Sequence, residues 1–201
     1  MRIAIVDYGA GNLPSVERAL RALGAETERA TEPAEIASAE AIVLPGVGHF
    51  SAFVNGLRER NLTSSLREAY DRDVPILGIC LGLQAMFASS EEALGAPGLG
   101  FFPGEVRALP GKVKSPHIGW NQLRRTQKST LLRGIPEDAY FYFAHSYAAP
   151  ASSESTVAAC DHGFAFAAVI EQRRLGAVQF HPEKSGEVGA RVLGNFLESV
   201  Q

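Results

Sequence analysis

Pro75-Ile76-Leu77-Gly78-Ile79-Cys80-Leu81-Gly82 is the stretch that decides the fold. Its apolar first half predicts a buried β-strand, and its Gly-x-Cys-x-Gly end predicts a sharp turn into a helix. The two glycines remove side chains where the strand and the helix would crowd each other, and the turn lifts the Cys80 side chain above the sheet. The N-terminus of the helix would stabilise a thiolate, which is the reactive form of cysteine. The stretch therefore predicts an activated cysteine.

The segments before this strand repeat the order of strand and helix. Residues 3–7 and 41–44 are short apolar runs, and each is followed by a Gly-rich turn and a helical pattern. Near-continuous apolar strands that alternate with helices are typical of a parallel sheet covered on both faces. The helices predicted in this half are residues 14–23, 50–71 and 81–89.

The pattern changes after Pro97. Short β-like segments separated by Gly, Pro and Asp turns predict an antiparallel or mixed extension of the sheet. These segments are residues 105–108, 117–123, 139–147, 156–160, 165–171 and 175–180, and a final helix is predicted over residues 187–199. The sequence thus predicts an α/β fold, with a mostly parallel central sheet flanked by helices and an antiparallel extension in the second half. No internal repeat or linker divides it, so we expect a single domain over residues 1–201.

Composition and charge narrow the class of protein. A net charge of -3 gives no electrostatic reason to expect a nucleic-acid partner, because proteins that bind nucleic acid carry basic patches. No apolar run approaches the roughly 18 to 20 residues that span a bilayer, so no membrane association is expected either. Cys80 and Cys160 are the two cysteines, and without an export signal they predict free thiols in a cytoplasmic protein. Cys160 lies in a predicted strand and is expected to be a core residue.

His181 is the histidine whose surroundings suit a general base. It lies in Gln179-Phe180-His181-Pro182-Glu183, after a predicted strand, and open α/β sheets place their sites beyond the carboxyl ends of strands. In an extended segment Glu183 would project to the same side as His181 and could fix its tautomer. The alternative is a surface turn in which Glu183 only faces a helix dipole. Together with Cys80, the pattern predicts a Cys-His-Glu triad.

The segment Pro45-Gly46-Val47-Gly48 follows another predicted strand. Its small residues can present backbone N–H groups to an oxyanion, and the Leu81 N–H in the cysteine turn could do the same. Phosphate binding is less favoured, because neither a G-x-G-x-x-G pattern nor a Walker pattern is present. A loop without a role in binding remains the simpler alternative.

These motifs together resemble a known family. The cysteine turn, the Leu-Pro-Gly-Val-Gly loop and the Phe-His-Pro-Glu-Lys-Ser segment resemble the class I glutamine amidotransferase domain. Within that family, the chain resembles the glutaminase subunits of imidazole glycerol phosphate synthase, of histidine biosynthesis. The segments that carry this closer resemblance are residues 7–13, 45–50, 116–121 and 143–147. It runs from residue 2 to about residue 196, although residues 89–100 and 148–163 match nothing distinctive.

The resemblance implies an activity, a partner and roles for named residues. The chain would hydrolyse glutamine to glutamate and ammonia with no metal or cofactor. In a heterodimer it would supply the ammonia to a cyclase subunit, which makes imidazole glycerol phosphate and aminoimidazole carboxamide ribotide. The implied residues are Cys80, His181 and Glu183 as the triad; Val47 and Leu81 as backbone oxyanion donors; Gly48, Gln84, Ser146 and Tyr147 for glutamine; and Asn12, Trp120, Asn121, Tyr142 and Lys184 facing the cyclase.

Simpler interpretations of several of these residues stay open from the residues alone. Trp120 could be a core residue, Lys184 a solvated charge and Asn12 a turn residue. Two other enzymes would also use such a cysteine: the glutaminase of pyridoxal phosphate synthesis and a cysteine peptidase. Residues 7–13 and 116–121 argue against both. An inactive binding subunit is the alternative from another class, and the intact triad argues against it.

Overall fold

Strands from both halves of the chain build one central sheet. The computed structural model describes residues 2–151 and 154–200. The strands are β1 Arg2–Val6, β2 Glu26–Ala30, β3 Ala41–Gly46, β4 Ile76–Cys80, β5 Phe87–Ser90, β6 Phe102–Ala108, β7 His117–Gln122, β8 Arg124–Arg125, β9 Tyr140–His145, β10 Tyr147–Ala148, β11 Thr156–Asp161, β12 Ala165–Gln172 and β13 Leu175–Val178. The helices are α1 Leu13–Ala22, α2 Pro33–Ala37, α3 Phe50–Glu59, α4 Leu62–Asp71, α5 Leu81–Ala85 and α6 Gly186–Val200, with a short 3-10 helix at Pro182–Lys184.

In the described residues the central sheet has the strand order β2-β1-β3-β4-β13-β12-β11-β8. β4 pairs in parallel with β3 on one side and with β13 on the other. The sheet continues through β12, β11 and β8 with antiparallel pairing. The predicted α/β fold, with a parallel centre and an antiparallel extension in the second half, is therefore confirmed.

Both faces of the sheet are buried, which explains why its inner strands are apolar at successive positions. Alternate residues of a strand point to opposite faces. In β1, Ile3 and Ile5 belong to the hydrophobic cluster on one face, whereas Ala4 and Val6 belong to the cluster on the other. Cys160 of β11 is 1% exposed within the first of these clusters, which confirms it as a core residue.

A two-stranded ribbon stands beside the central sheet. β7 and β9 are antiparallel, and their register pairs His117 with His145 and Trp120 with Tyr142. A smaller sheet has the order β10-β6-β5. Among the helices of the described residues, none has both the length and the apolar character needed to cross a membrane.

The prediction of a helix over residues 81–89 is wrong beyond Ala85. α5 ends there, and the next residues form β5, which pairs with β6. The carbonyls of Ala85 and Met86, which a longer helix would use internally, accept hydrogen bonds from the N–H groups of Leu99 at 2.7 Å and Phe102 at 3.0 Å. Contacts with a later part of the chain therefore override the helical pattern of this segment.

Two parts of the first half also differ from the prediction. The helix predicted over residues 50–71 is two helices, because Asn61 adopts a left-handed conformation between them, with a φ of 57°. The sequence pattern predicts no element for residues 26–37, where the structure has β2 and α2. β2 is an edge strand of polar sequence, so it lacks the apolar run that marks the inner strands.

Gly82 lies where α5 packs against β3. A Cβ at this position would lie 1.9 Å from the Leu44 carbonyl oxygen, so the backbone would have to move to admit any side chain. We expect Gly82→Ala to lower the free energy of unfolding by about 1–3 kcal/mol, the usual cost of overpacking. Urea denaturation measures this change.

Gly194→Ala is the matched control for this prediction. Gly194 lies in α6, and apart from its chain neighbours and the backbone of its own helix no atom lies within 4 Å of the position that its Cβ would take. Alanine there should stabilise the helix by up to about 1 kcal/mol. A Gly82→Ala variant as stable as the wild type would contradict the packing argument.

Candidate active site

Cys80 ends β4 and immediately precedes α5, as the sequence predicts. Its φ of 54° and ψ of -108° are unusual for a residue with a side chain, and such strain is commonly found at functional sites. Gly78 and Gly82 flank it without room for a Cβ, since one at Gly78 would lie 2.8 Å from the Met86 side chain. The predicted cysteine turn is confirmed. Cys80 is 6% exposed, so its thiol lies at the base of a cavity and not on an open surface.

His181 and Glu183 lie beside this turn because β13 and β4 are parallel neighbours, with Val178 paired to Ile79. The Nδ1 of His181 is 2.9 Å from a Glu183 carboxylate oxygen, and both side chains are buried. The extended segment predicted here is wrong. Pro182 begins a 3-10 turn, and this turn brings the carboxylate back to the imidazole.

The charge of His181 is set by its two neighbours. Burial opposes a charged imidazole, but hydrogen bonds and attraction to Cys80 and Glu183 outweigh it and raise the pKa of His181 to about 10. The ring is therefore protonated at neutral pH. A positive imidazolium beside a cysteine sulfur generally favours the thiolate, the form in which cysteine is a nucleophile.

The loop after β3 reaches the same place, because Gly46 pairs with Cys80 in the sheet. Here the Val47 N–H donates to the Tyr8 hydroxyl at 3.1 Å, and that hydroxyl is 2.9 Å from the Val47 carbonyl oxygen, to which it donates. Burial raises the pKa of Tyr8, although the bond to Val47 opposes the shift, so the hydroxyl keeps its proton. Leu81 is the first residue of α5, where a backbone N–H has no partner within the helix.

A cavity of about 330 Å³ opens above Cys80, within the size range of small-ligand sites. It brings together most of the residues predicted for the triad, the oxyanion and the substrate. The predicted residues that line it are Cys80, His181, Val47, Leu81, Gly48, Gln84, Ser146, Tyr147 and Lys184. Glu183 lies behind His181, next to a smaller cavity that Asn12 also lines.

Sequence reasoning misses two polar residues of this cavity, Glu92 and His145. A Glu92 carboxylate oxygen accepts the Phe50 N–H at 2.8 Å, which holds the side chain at the start of α3. Glu92 lies in the stretch without distinctive motifs, so only the folded structure brings it to the cavity. His145 is within the Phe143-to-Tyr147 motif, but its role there is not readable from the pattern.

The residues predicted to face a partner divide into two groups. Trp120 is 55% exposed and meets Tyr142 edge to face at 5.9 Å, and the Lys184 ammonium lies 5.7 Å above the Tyr142 ring. Trp120 is therefore not a core residue. Asn121 points to the other side of β7, where it donates to the Asp161 carbonyl at 2.9 Å.

Asn12 is also tied within the chain, as a turn residue would be. It directly precedes α1, and its side-chain oxygen accepts the Ser15 hydroxyl at 3.0 Å. Both asparagines predicted to face the partner therefore make internal hydrogen bonds, and their partner contacts stay predictions.

Residues 4–200 match the family described as "Glutamine amidotransferase class-I", and the chain belongs to that family. The chain is 47% identical to the imidazole glycerol phosphate synthase subunit HisH of Moorella thermoacetica, over 99% of this chain and 95% of the relative. It is 46% identical to the HisH subunit of Methanothermobacter thermautotrophicus, over 99% of both chains. The resemblance to the synthase subunits of this family is thereby confirmed.

Solved structures agree on the fold. A crystal structure of a glutamine amidotransferase superposes with a TM-score of 0.79 at 18% identity, and the match covers 98% of each chain. At that identity the similarity concerns the fold alone.

His117 and His145 form a buried pair between the ribbon and the cavity. His117 Nδ1 is 3.1 Å from His145 Nε2, and His145 Nδ1 is 2.9 Å from the Tyr147 carbonyl oxygen. Burial is the main cause that lowers the pKa of His145 to about 3 and that of His117 to about 4; the hydrogen bond to the Tyr147 carbonyl opposes the shift of His145, and the ring of His162 contributes to both shifts. Both rings are therefore neutral at pH 7. A carbonyl only accepts, so His145 donates from Nδ1 and accepts at Nε2.

We expect the free energy of unfolding to fall as the pH is lowered from about 6.5 towards 4. Histidine has a pKa of about 6.5 in an unfolded chain, so in this range the unfolded chain binds protons that the folded chain does not. Urea denaturation across this range measures the slope, and His117→Gln should flatten it. An equal slope in His117→Gln would contradict the assignment.

Proposed function

We propose that this chain hydrolyses glutamine at Cys80 and supplies the ammonia to a cyclase subunit in histidine biosynthesis. The observation that carries the proposal is the shared cavity, in which a buried Cys80 meets a protonated His181 held by Glu183. The relatives are named as subunits of a synthase, which supports a partner that uses the ammonia.

The reaction follows from the charges of the triad. The Cys80 thiolate attacks the side-chain amide carbon of glutamine, and the carbonyl electrons move to oxygen. When the intermediate collapses, the C–N bond breaks and the His181 imidazolium gives its proton to the leaving nitrogen, which departs as ammonia. Neutral His181 then removes a proton from water, the hydroxide attacks the thioester, and Cys80 leaves as the thiolate with glutamate released.

Substrate recognition would use the polar groups around the thiol. The Gln84 amide nitrogen donates to the Tyr147 carbonyl at 2.7 Å and to Gln179 at 3.1 Å, so its oxygen is the group that can face a ligand. That oxygen and the Glu92 carboxylate are acceptors suited to the α-ammonium group of glutamine. Gly48 and Ser146 line the remaining wall.

The oxyanion of the first step needs backbone donors, and we assign Val47 and Leu81 to that role. The Val47 N–H is bound to Tyr8 in this structure, so it must be released before it can reach the oxyanion. Since a single oxyanion donor is worth about 10²–10³ in rate, this bond would keep the resting enzyme slow.

The partner would dock on the exposed group of Trp120, Tyr142 and Lys184. Aromatic side chains are enriched at protein interfaces, and the Lys184 ammonium lies over the Tyr142 ring of the same group. The group adjoins the triad, because the His181 N–H donates to the Tyr142 carbonyl at 2.9 Å. We infer a heterodimer with the cyclase subunit, and a cytoplasmic location in which the Cys80 thiol stays reduced.

Cys80→Ala should remove glutaminase activity by a factor of more than about 10³, because no other group replaces the nucleophile. In complex with the cyclase subunit, synthesis from glutamine should stop while synthesis from added ammonium salt continues. Cys160→Ala is the control and should keep both activities, since that thiol is buried in the core. Glutamine-dependent synthesis that survives Cys80→Ala would refute the proposal.

Tyr8→Phe should raise the glutaminase rate of the isolated chain several-fold. The change removes the hydroxyl that accepts the Val47 N–H and leaves the ring packed on Phe53, at 4.4 Å between centroids. Ammonia release from glutamine gives the rate. Tyr70→Phe, whose ring stacks on Phe101, is the control and should not change it. A Tyr8→Phe variant that folds and is no faster would show that this bond does not limit the reaction.

A further inference from the structure

Gln179 is a buried amide that the reaction above leaves unused. It follows β13, it is 0% exposed, and its backbone N–H donates to the Ala168 carbonyl at 2.9 Å. Its side-chain nitrogen lies 3.6 Å from the Cys80 sulfur, within hydrogen-bond reach for a sulfur acceptor. Its side-chain oxygen accepts from the Gln84 amide nitrogen at 3.1 Å.

The surrounding groups fix which end of the Gln179 amide faces the sulfur. The Tyr147 carbonyl can only accept, so the Gln84 group that lies 2.7 Å from it must be the nitrogen. The other hydrogen of that nitrogen points at Gln179, which must therefore present its oxygen to Gln84. The nitrogen of Gln179 then necessarily faces Cys80.

The same carbonyl oxygen accepts a second hydrogen bond. The His145 Nδ1 lies 2.9 Å from the Tyr147 oxygen, and the neutral His117–His145 pair leaves that nitrogen as a donor. A carbonyl oxygen that accepts two hydrogen bonds is held in place. The Gln84 amide bound to it, and the Gln179 amide bound to Gln84, are therefore held in place as well. The orientation of Gln179 is therefore set by backbone and histidine contacts, independently of any substrate.

We propose that Gln179 is a further catalytic residue, whose side-chain amide donates a hydrogen bond to the Cys80 sulfur and stabilises the thiolate. Gln84 acts as its positioning residue. A hydrogen bond to a charged acceptor is stronger than one to a neutral acceptor, so this donor favours the thiolate over the thiol. The proposal rests on Cys80 as the nucleophile of the proposed function.

The role bears on both chemical steps, because the sulfur is an anion before it attacks glutamine and again when it leaves the thioester. During thioester hydrolysis His181 first takes a proton from water, and the sulfur then leaves as an anion beside the imidazolium. Throughout that step the Gln179 amide keeps its donor, because an amide does not titrate near neutral pH. Gln179 would thus stabilise the leaving thiolate together with the imidazolium.

The test is the pH profile of alkylation of Cys80 by iodoacetamide, measured on the full chain with Cys160→Ala as background. Gln179→Leu keeps the size of the side chain but removes the donor, and we expect the midpoint of the profile to move up by about one pH unit. Alkylation at pH 7 should slow correspondingly. The reagent reacts with the thiolate whether or not glutamine is the substrate, so failure of this inference is distinguishable from failure of the proposed function.

Two further variants keep the test decisive. Gln84→Met removes the groups that orient Gln179 without touching the sulfur, and it should move the midpoint in the same direction by a smaller amount. It replaces Gln179→Leu if that variant does not fold. Asn195→Leu is the matched control, because Asn195 is another fully buried amide, which donates to the Leu131 and Arg133 carbonyls away from the cavity. It should reduce stability without moving the midpoint.

The shifts measured in these three variants either support or contradict the proposal. An upward shift in Gln179→Leu or Gln84→Met, with none in Asn195→Leu, supports the proposal. An unchanged midpoint in a folded Gln179→Leu overturns it, as does an equal shift in Asn195→Leu, which would mean that any loss of a buried amide disturbs the thiol.

Discussion

At Gly82 the first turn of α5 approaches the Leu44 carbonyl so closely that a Cβ would lie 1.9 Å from its oxygen. The helix packs closely against β3 at this contact, two residues after Cys80 with its strained backbone conformation. Because β3, β4 and β13 are parallel neighbours, the Val47 loop and His181 end at the same edge of the sheet. The strand order therefore brings the residues of the site together, and Gly82 allows α5 to lie close to β3.

The chemistry depends on charges that are kept out of water. His181 and Glu183 have side chains only 5% and 2% exposed, and one Glu183 carboxylate oxygen has no hydrogen-bond partner among the residues that the structure describes. Burial of such a pair is costly unless the geometry is well fixed. Ser185 holds the backbone of this pair in place. Its hydroxyl donates to the His181 carbonyl at 2.7 Å and accepts the Tyr142 N–H at 3.0 Å. The short turn after β13 is thereby joined to the ribbon.

Much of the fold and the core of the site could be predicted from the sequence, because apolar runs and glycines act locally. The cysteine turn and the inner parallel strands are of this kind. The failures share a different cause. The helix over residues 81–89 ends early because Leu99 and Phe102 take its carbonyl groups, which a local pattern does not reveal. Glu92 and Gln179 act through partners distant in the chain, and in the sequence they are an ordinary charge and an ordinary strand residue.

β9 is the short strand that contributes both to the outer group around Trp120 and to the cavity above Cys80. Tyr142 belongs to the outer group with Trp120, whereas His145, on the opposite face of the strand, lines the cavity, and the Ala144 carbonyl oxygen lies 3.9 Å from the Cys80 sulfur. A strand has a side-chain period of two, so a slip of one residue would exchange every outward position for an inward one. Docking and hydrolysis consequently depend on the same alternation of side chains along β9. A single-residue insertion or deletion there would abolish both together, whereas point substitutions can alter either one alone.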